Sequence, residues 1–187
     1  MKKCSIAVLL SALLVVSCLS FGGRDVPSQY TLHNGATMEK GPMGFLLTAS
    51  ADRGTALRPI EPMAGQLVCR FTLKSALSEG TRNGFLVLGQ QLDPAKTIMA
   101  GIYIGAREFV IEGPGVTEPI NVQIPFDQSK EFAVTIIVNF KKGFVEMQTA
   151  EREIGTGLAP HMQQITHIGY MVNNTSTHFS RIEISNE

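Results

Sequence analysis

The side chains able to do chemistry are few and scattered. Glu151 and Glu153 stand two residues apart, the spacing at which a strand brings two carboxyls to one face, as a pair flanking a glycosidic bond requires. Arg152 lies between them and Gly155-Thr156-Gly157 follows, so the run reads as solvated charge at a strand end. His161 and His167 are separated by a turn at a spacing that no His-x3-His metal site uses. Asp25, Asp52, Asp93 and Asp127 are isolated, which excludes an EF-hand loop. Cys69 shares strand parity with Leu67, Phe71 and Leu73, so it reads as a small buried apolar residue and not a nucleophile. What remains is an outward-facing polar set: Arg70, Tyr103, Asn139, Glu146, Gln148 and His167. If these side chains share one sheet face, they form a platform for a glycan; the same residues also describe an ordinary wet sheet face. With no tryptophan and only Tyr30, Tyr103 and Tyr170, an aromatic stacking strip is thin.

Strands must position these groups. Short runs rich in Val, Ile, Phe and Thr, bounded by Gly, Pro, Asn, Asp or Ser, predict strands at 36–40, 44–49, 66–74, 84–90, 99–104 and 108–112. Further runs follow at 120–124, 131–139, 144–149, 166–173 and 179–185. Alternation places Phe132, Val134, Ile136 and Val138 toward a core, joined by Val145 and Met147, with Glu146 and Gln148 outward. Ile168, Tyr170 and Val172 point one way and His167, Gly169 and Met171 the other; Ile182 and Ile184 face in. Gly105 and Gly143 close tight reversals, and Asn173 and Asn174 begin a turn into the last strand. Helix is confined to single turns near 75–79 and 158–164. So many short strands predict an all-β, two-layer antiparallel sandwich.

The chain begins with Lys2 and Lys3, then an apolar run from Ile6 to Val16, then Val15-Val16-Ser17-Cys18. A basic head and an apolar stretch too short to span a bilayer comfortably make an export signal. Its break at cysteine resembles a bacterial lipoprotein precursor, which implies a lipid on Cys18, membrane anchoring and a cell-envelope location. Leu19 in place of a retaining aspartate favours the outer membrane if the cell has one. Cleavage after Ser20 or Gly22 is the competing expectation and would discard Cys18. The division expected is a signal over 1–17, a tether over 18–28 and one domain over 29–187. The whole chain carries 16 basic and 16 acidic residues, and no basic cluster longer than Lys141-Lys142 follows the signal, which argues against nucleic acid. Once Cys18 is acylated, Cys69 has no partner for an internal disulfide.

From Gln66 onward the order of elements resembles the concanavalin A-like lectin/glucanase superfamily, the laminin-G-like jelly roll. The residues carrying this are Asn83-Gly84-Phe85-Leu86-Val87-Leu88-Gly89, Ala100-Gly101-Ile102-Tyr103-Ile104-Gly105, the hairpin 132–149, Ile168-Gly169-Tyr170 and 179–185. The resemblance implies paired curved sheets with ligands on a sheet face or at rim loops. Hydrolases on this scaffold carry a Glu-x-Asp-x-Glu strand, which is missing here, and the His, Tyr, Arg and Gln motifs of its lyases are not matched. No cofactor is expected; a structural calcium at the sandwich rim, built partly from carbonyls, is the one metal the resemblance leaves open. The leading expectation is therefore a non-enzymatic envelope lipoprotein binding a polysaccharide or a protein partner. A hydrolase or lyase with an unrecognised site, or a purely structural surface module, are the alternatives.

Overall fold

The computed structural model describes residues 26–90 and 96–186, so the predicted signal, Cys18 and most of the expected tether lie outside the described residues. Alternating burial creates two sheets. Strands β1 (Thr31–His33), β4 (Gly54–Met63), β13 (Ile165–Val172), β6 (Gly84–Gly89), β7 (Thr97–Tyr103), β8 (Glu108–Glu112) and β9 (Ile120–Gln123) form a seven-stranded sheet in that order. Strands β12 (Glu153–Gly157), β11 (Phe144–Gln148), β10 (Phe132–Asn139), β5 (Gln66–Ser75), β14 (Thr175–Phe179), β3 (Gly44–Ala49) and β2 (Thr37–Gly41) form the other, with β15 (Glu183–Asn186) also beside β5. All named pairs are antiparallel, and the inner faces enclose one apolar core.

The clearest alternation in the sequence is also the best-buried strand. On β10, Phe132, Val134, Ile136 and Val138 are buried, while Ala133 is exposed and Thr135 and Ile137 are half-buried. Ile136 lies opposite Cys69 on one side and Met147 on the other, and Val138 lies between Leu67 and Val145, so one inward layer runs across three strands. Each such side chain contributes about 1.5–3 kcal/mol by leaving water. Tyr170 is fully buried among Tyr30, Phe45 and Phe179, and its hydroxyl donates to the Ser180 carbonyl at 2.7 Å, as a buried phenol must to avoid an unpaired polar atom. Burial pushes the Cys69 thiol up to about 12, in keeping with an inert core position.

Four expectations need correction. The predicted helical turns are absent: Ser75 closes a local turn through Leu77, and Leu158 and Ala159 donate to Gly143 and Gly115. A 3-10 turn at Pro27–Gln29 straddles the boundary between the expected tether and the expected domain. The predicted strands omit β12, which the exposed Glu153 begins and whose Ile154 packs into the core opposite Met147. The final strand is broken into β14 and β15, because Ser180 takes over the β5 backbone locally: its N–H donates to the Thr72 carbonyl and its hydroxyl accepts from the Thr72 N–H, both at 2.8 Å. Beyond it the pairing slips by one residue, from Phe179 opposite Leu73 to Glu183 opposite Arg70.

Candidate functional site

The six outward residues do not share a face. Arg70, Asn139, Glu146 and Gln148 belong to the eight-stranded sheet; Tyr103 and His167 belong to the other, across the core. Asn139 is buried and spent on the hairpin: its Oδ1 accepts from the Lys142 N–H at 2.9 Å and its Nδ2 donates to Gln66 at 2.8 Å. Gln148 donates to Glu146, and Arg70 reaches Ser185 at 3.4 Å, so these three side chains are engaged with their sheet neighbours. His167 sits opposite Pro59 and Gly89 with its ring against the Thr166 hydroxyl at 3.0 Å. It is six residues before Asn173 along β13, about 20 Å away at strand rise.

Tyr103 is different, because it stands over a hollow. Gly101 has no side chain, and a Cβ there would lie 2.8 Å from Phe85 Cδ1, so the Phe85 ring can lie flat across it. Tyr103 packs edge-on to that ring with centroids 4.8 Å apart. Phe85, Val87, Met99, Val110 and Met171 form a buried apolar bed on this outer face, separate from the main core. Above its end is a pocket of about 410 Å³, lined by Tyr103 and Glu112 from the sheet and by Asp52, Arg53 and Thr81 from turns. Asn83, Asn173 and Asn174 complete the wall.

Three turns are locked together by amides. Asn83 is fully buried; its Oδ1 accepts from the Asn173 N–H at 2.8 Å and its Nδ2 donates to the Asn173 carbonyl at 2.9 Å. Asn173 passes the constraint on: its Oδ1 accepts from the Arg53 N–H at 2.7 Å and its Nδ2 donates to the Tyr103 hydroxyl at 3.4 Å. The Arg53 carbonyl accepts from Asn34 at 2.9 Å, so Arg53 is gripped on both sides while its backbone holds φ at 56°. That left-handed conformation costs a non-glycine residue about 1–2 kcal/mol, which the two side-chain clasps offset. Thr175 donates to the Thr81 carbonyl at 2.6 Å and Thr177 to the Asn83 carbonyl at 2.5 Å, tying the same turn to β14. The wall is thus assembled before any ligand arrives, the condition for binding without an ordering cost.

Burial raises the Tyr103 phenol above its ordinary 10.0, and the Glu112 carboxylate adds to the rise; the Asn173 bond and Arg53 oppose it. Tyr103 therefore keeps its proton at neutral pH and offers an O–H that both donates and accepts. Asp52 and Arg53 are exposed, and Glu112 is half-buried. Among the described residues, no group of three or more His, Cys, Asp or Glu comes together to hold a metal. A second hollow of about 270 Å³ lies between Phe140, Leu158, Pro160 and Met162, with Gln163 its one polar side chain. Its poverty in polar groups leaves the Tyr103 pocket as the site with convergent chemistry.

Of the six sequence candidates, Tyr103 alone lines this pocket. Arg53, Asn83 and Asn173 were missed because they read as isolated charge and turn residues, and Arg53 meets a partner 120 positions away. The available signal was local: Asn83-Gly84 and Asn173-Asn174 both abut strand ends, where amides serve turns.

No family model matches the sequence, and no curated protein does. Among solved structures, the chain is similar to the carbohydrate-binding module CBM66 from Bacillus subtilis, with 12% identity and a TM-score of 0.69 over 84% of this chain and 96% of that one. It is also similar to the Emp47p carbohydrate recognition domain, with 11% identity and a TM-score of 0.55 over 89% and 92%. The alginate lyase AlgAT5 of polysaccharide lyase family 7 aligns at 10% identity and a TM-score of 0.56 over 80% and 82%. At these identities the likeness is one of fold. The domain is a jelly-roll β-sandwich.

Proposed function

We propose that this domain binds a saccharide, and that the Tyr103 pocket is where it does so. The observation carrying this reading is an aromatic side chain on an apolar bed, ringed by planar amide, guanidinium and carboxylate groups on turns already fixed in place. Sugars present alternating C–H faces and hydroxyls, so they need just such an apolar surface bordered by fixed donors and acceptors. The sandwich neighbours that are named for carbohydrate binding or recognition support it. Isothermal titration against a glycan panel tests it: binding should appear for at least one glycan and disappear in Tyr103→Ala. Binding to none removes the reading.

A second reading, hydrolysis, draws on one observation: Asp52 and Glu112 both line the pocket. A general acid needs a site that holds its proton, usually through burial, and Asp52 is exposed at a turn. A Tyr103 general base is disfavoured too, since burial keeps the phenol protonated where a base must lose its proton. We therefore favour binding over catalysis. Prolonged incubation of a bound glycan with the protein, followed by product chromatography, decides it; shortened chains that vanish in Glu112→Gln would establish the hydrolase.

The site is proposed to work at the cell envelope, tethered by a lipid on Cys18 and facing an envelope or environmental polysaccharide. Detergent phase partition tests the anchor: the wild-type protein should enter the detergent phase and Cys18→Ala the aqueous phase. An aqueous wild type contradicts the anchor and leaves the pocket untouched.

A further inference from the structure

We propose that the pocket selects uncharged saccharides, and that Glu112 is the residue that rejects those bearing carboxylate or sulfate. This deepens the saccharide reading and rests on it. Three formal charges line the pocket, two negative and one positive: Asp52, Glu112 and Arg53. They are not equivalent. Asp52 and Arg53 are exposed at the tip of a turn, where water and salt weaken their fields. Glu112 is half-buried on β8 beside the apolar bed, so its field is screened less.

Neither side chain is neutralised locally. Among the described residues, the ion pairs join Lys74 to Glu131 and Lys130 to Glu151, and no cation lies within 4.0 Å of Glu112. Glu108, two outward positions before Glu112 along β8 and opposite Tyr103, adds a second half-buried carboxylate, held by the Asn121 amide at 3.1 Å. The Tyr103 hydroxyl registers the balance: Glu112 and Glu108 both favour its protonated form, and Glu112 outweighs Arg53. An anionic sugar seated on Tyr103 would lie between the Glu108 end and the Glu112 end of β8, against a single, exposed guanidinium. Juxtaposed like charges weaken association at interfaces and are a common means of excluding a wrong partner. Hydroxyls, by contrast, can donate to Glu112 and accept from Arg53 and Asn173.

Titration with matched probes tests the proposal. Neutral glycans (mannan, a mixed-linkage glucan and fully methyl-esterified homogalacturonan) are compared with de-esterified homogalacturonan, alginate and sialyllactose, at low and high salt. The expected result is binding to a neutral glycan, and affinity for every anionic one at least about tenfold weaker and improving as salt rises. In Glu112→Gln the ratio of neutral to anionic affinity should fall toward one, whatever the variant does to neutral affinity itself. A wild-type preference for an anionic glycan overturns the proposal, as does a neutral preference that Glu112→Gln leaves unchanged. Binding to no glycan overturns the saccharide reading itself, and this proposal with it.

Discussion

Replacing Asn83 tests whether the pocket wall is held from inside. The side chain is fully buried, and it bonds both the N–H and the carbonyl of Asn173, at 2.8 and 2.9 Å. Asn83→Ala removes both partners together and leaves two backbone groups unpaired. At about 1–3 kcal/mol for each unsatisfied group, the loss is about 2–6 kcal/mol, large against the 5–15 kcal/mol (roughly) that holds an ordinary domain folded. Urea unfolding followed by circular dichroism measures this as a lower midpoint at unchanged slope. Asn83→Asp is the sharper probe. The new carboxyl can still accept from the Asn173 N–H, but its second oxygen faces the Asn173 carbonyl and can pair with it only as O–H. Burial and that carbonyl both raise its folded pKa above the unfolded value of about 3.9. The native state then holds the proton longer than the unfolded state. The variant should therefore be near wild-type stability below pH 4 and lose stability as pH rises through the raised folded pKa. An Asn83→Asp midpoint equal to wild type at pH 7, or an Asn83→Ala cost below about 1 kcal/mol, would refute the keystone role.

Three further outcomes follow from the same geometry. Tyr103→Phe removes a long 3.4 Å bond at the surface end of the pocket, so stability should fall by less than about 1 kcal/mol while saccharide affinity drops; calorimetry with and without ligand separates the two. Wild-type stability should fall as pH rises from about 9 toward about 12, because the unfolded state surrenders the Cys69 proton first; in Cys69→Val that component of the pH profile should vanish, and native wild type should resist thiol reagents at neutral pH. Gly169→Ala should fail to fold or lose several kcal/mol, since a Cβ there would lie 1.9 Å from the Ala56 carbonyl oxygen; native-like chemical-shift dispersion in that variant contradicts the close approach of β4 and β13.

Where side chains alternate cleanly, the sequence is enough. The β10–β11 hairpin shows this, because Phe132, Val134, Ile136, Val138, Val145 and Met147 all face in while Glu146 and Gln148 face out. Besides the three-residue β1, which the predicted strands also omit, three strands hide for physical reasons. β4 contains Pro59 and Pro62, which argue against a strand, yet β1 pairs only with residues 55–57, so both prolines fall where one edge is open and no donor is required. β14 looks polar up to Phe179 because its inward Thr175 and Thr177 are buried by satisfying the Thr81 and Asn83 carbonyls instead of by being apolar. β12 offers a single buried aliphatic, Ile154, between charged and glycine residues. The sandwich was legible because most strands need only local parity. The pocket was largely not, because its function-bearing contacts join turns far apart in the chain, and parity says nothing of which turns meet. Parity also cannot tell the outside of one sheet from the outside of the other, which is why Arg70 and Tyr103 look equivalent in sequence and lie on opposite sides of the core.

Amide chemical-shift mapping with a bound glycan asks most directly which surface holds the sugar. On titration of ¹⁵N-labelled protein, the perturbed signals should gather at Arg53, Asn83, Tyr103, Glu112 and Asn173. Perturbations centred on Arg70, Thr135 and Gln148, across the sandwich, would contradict the assignment of the site.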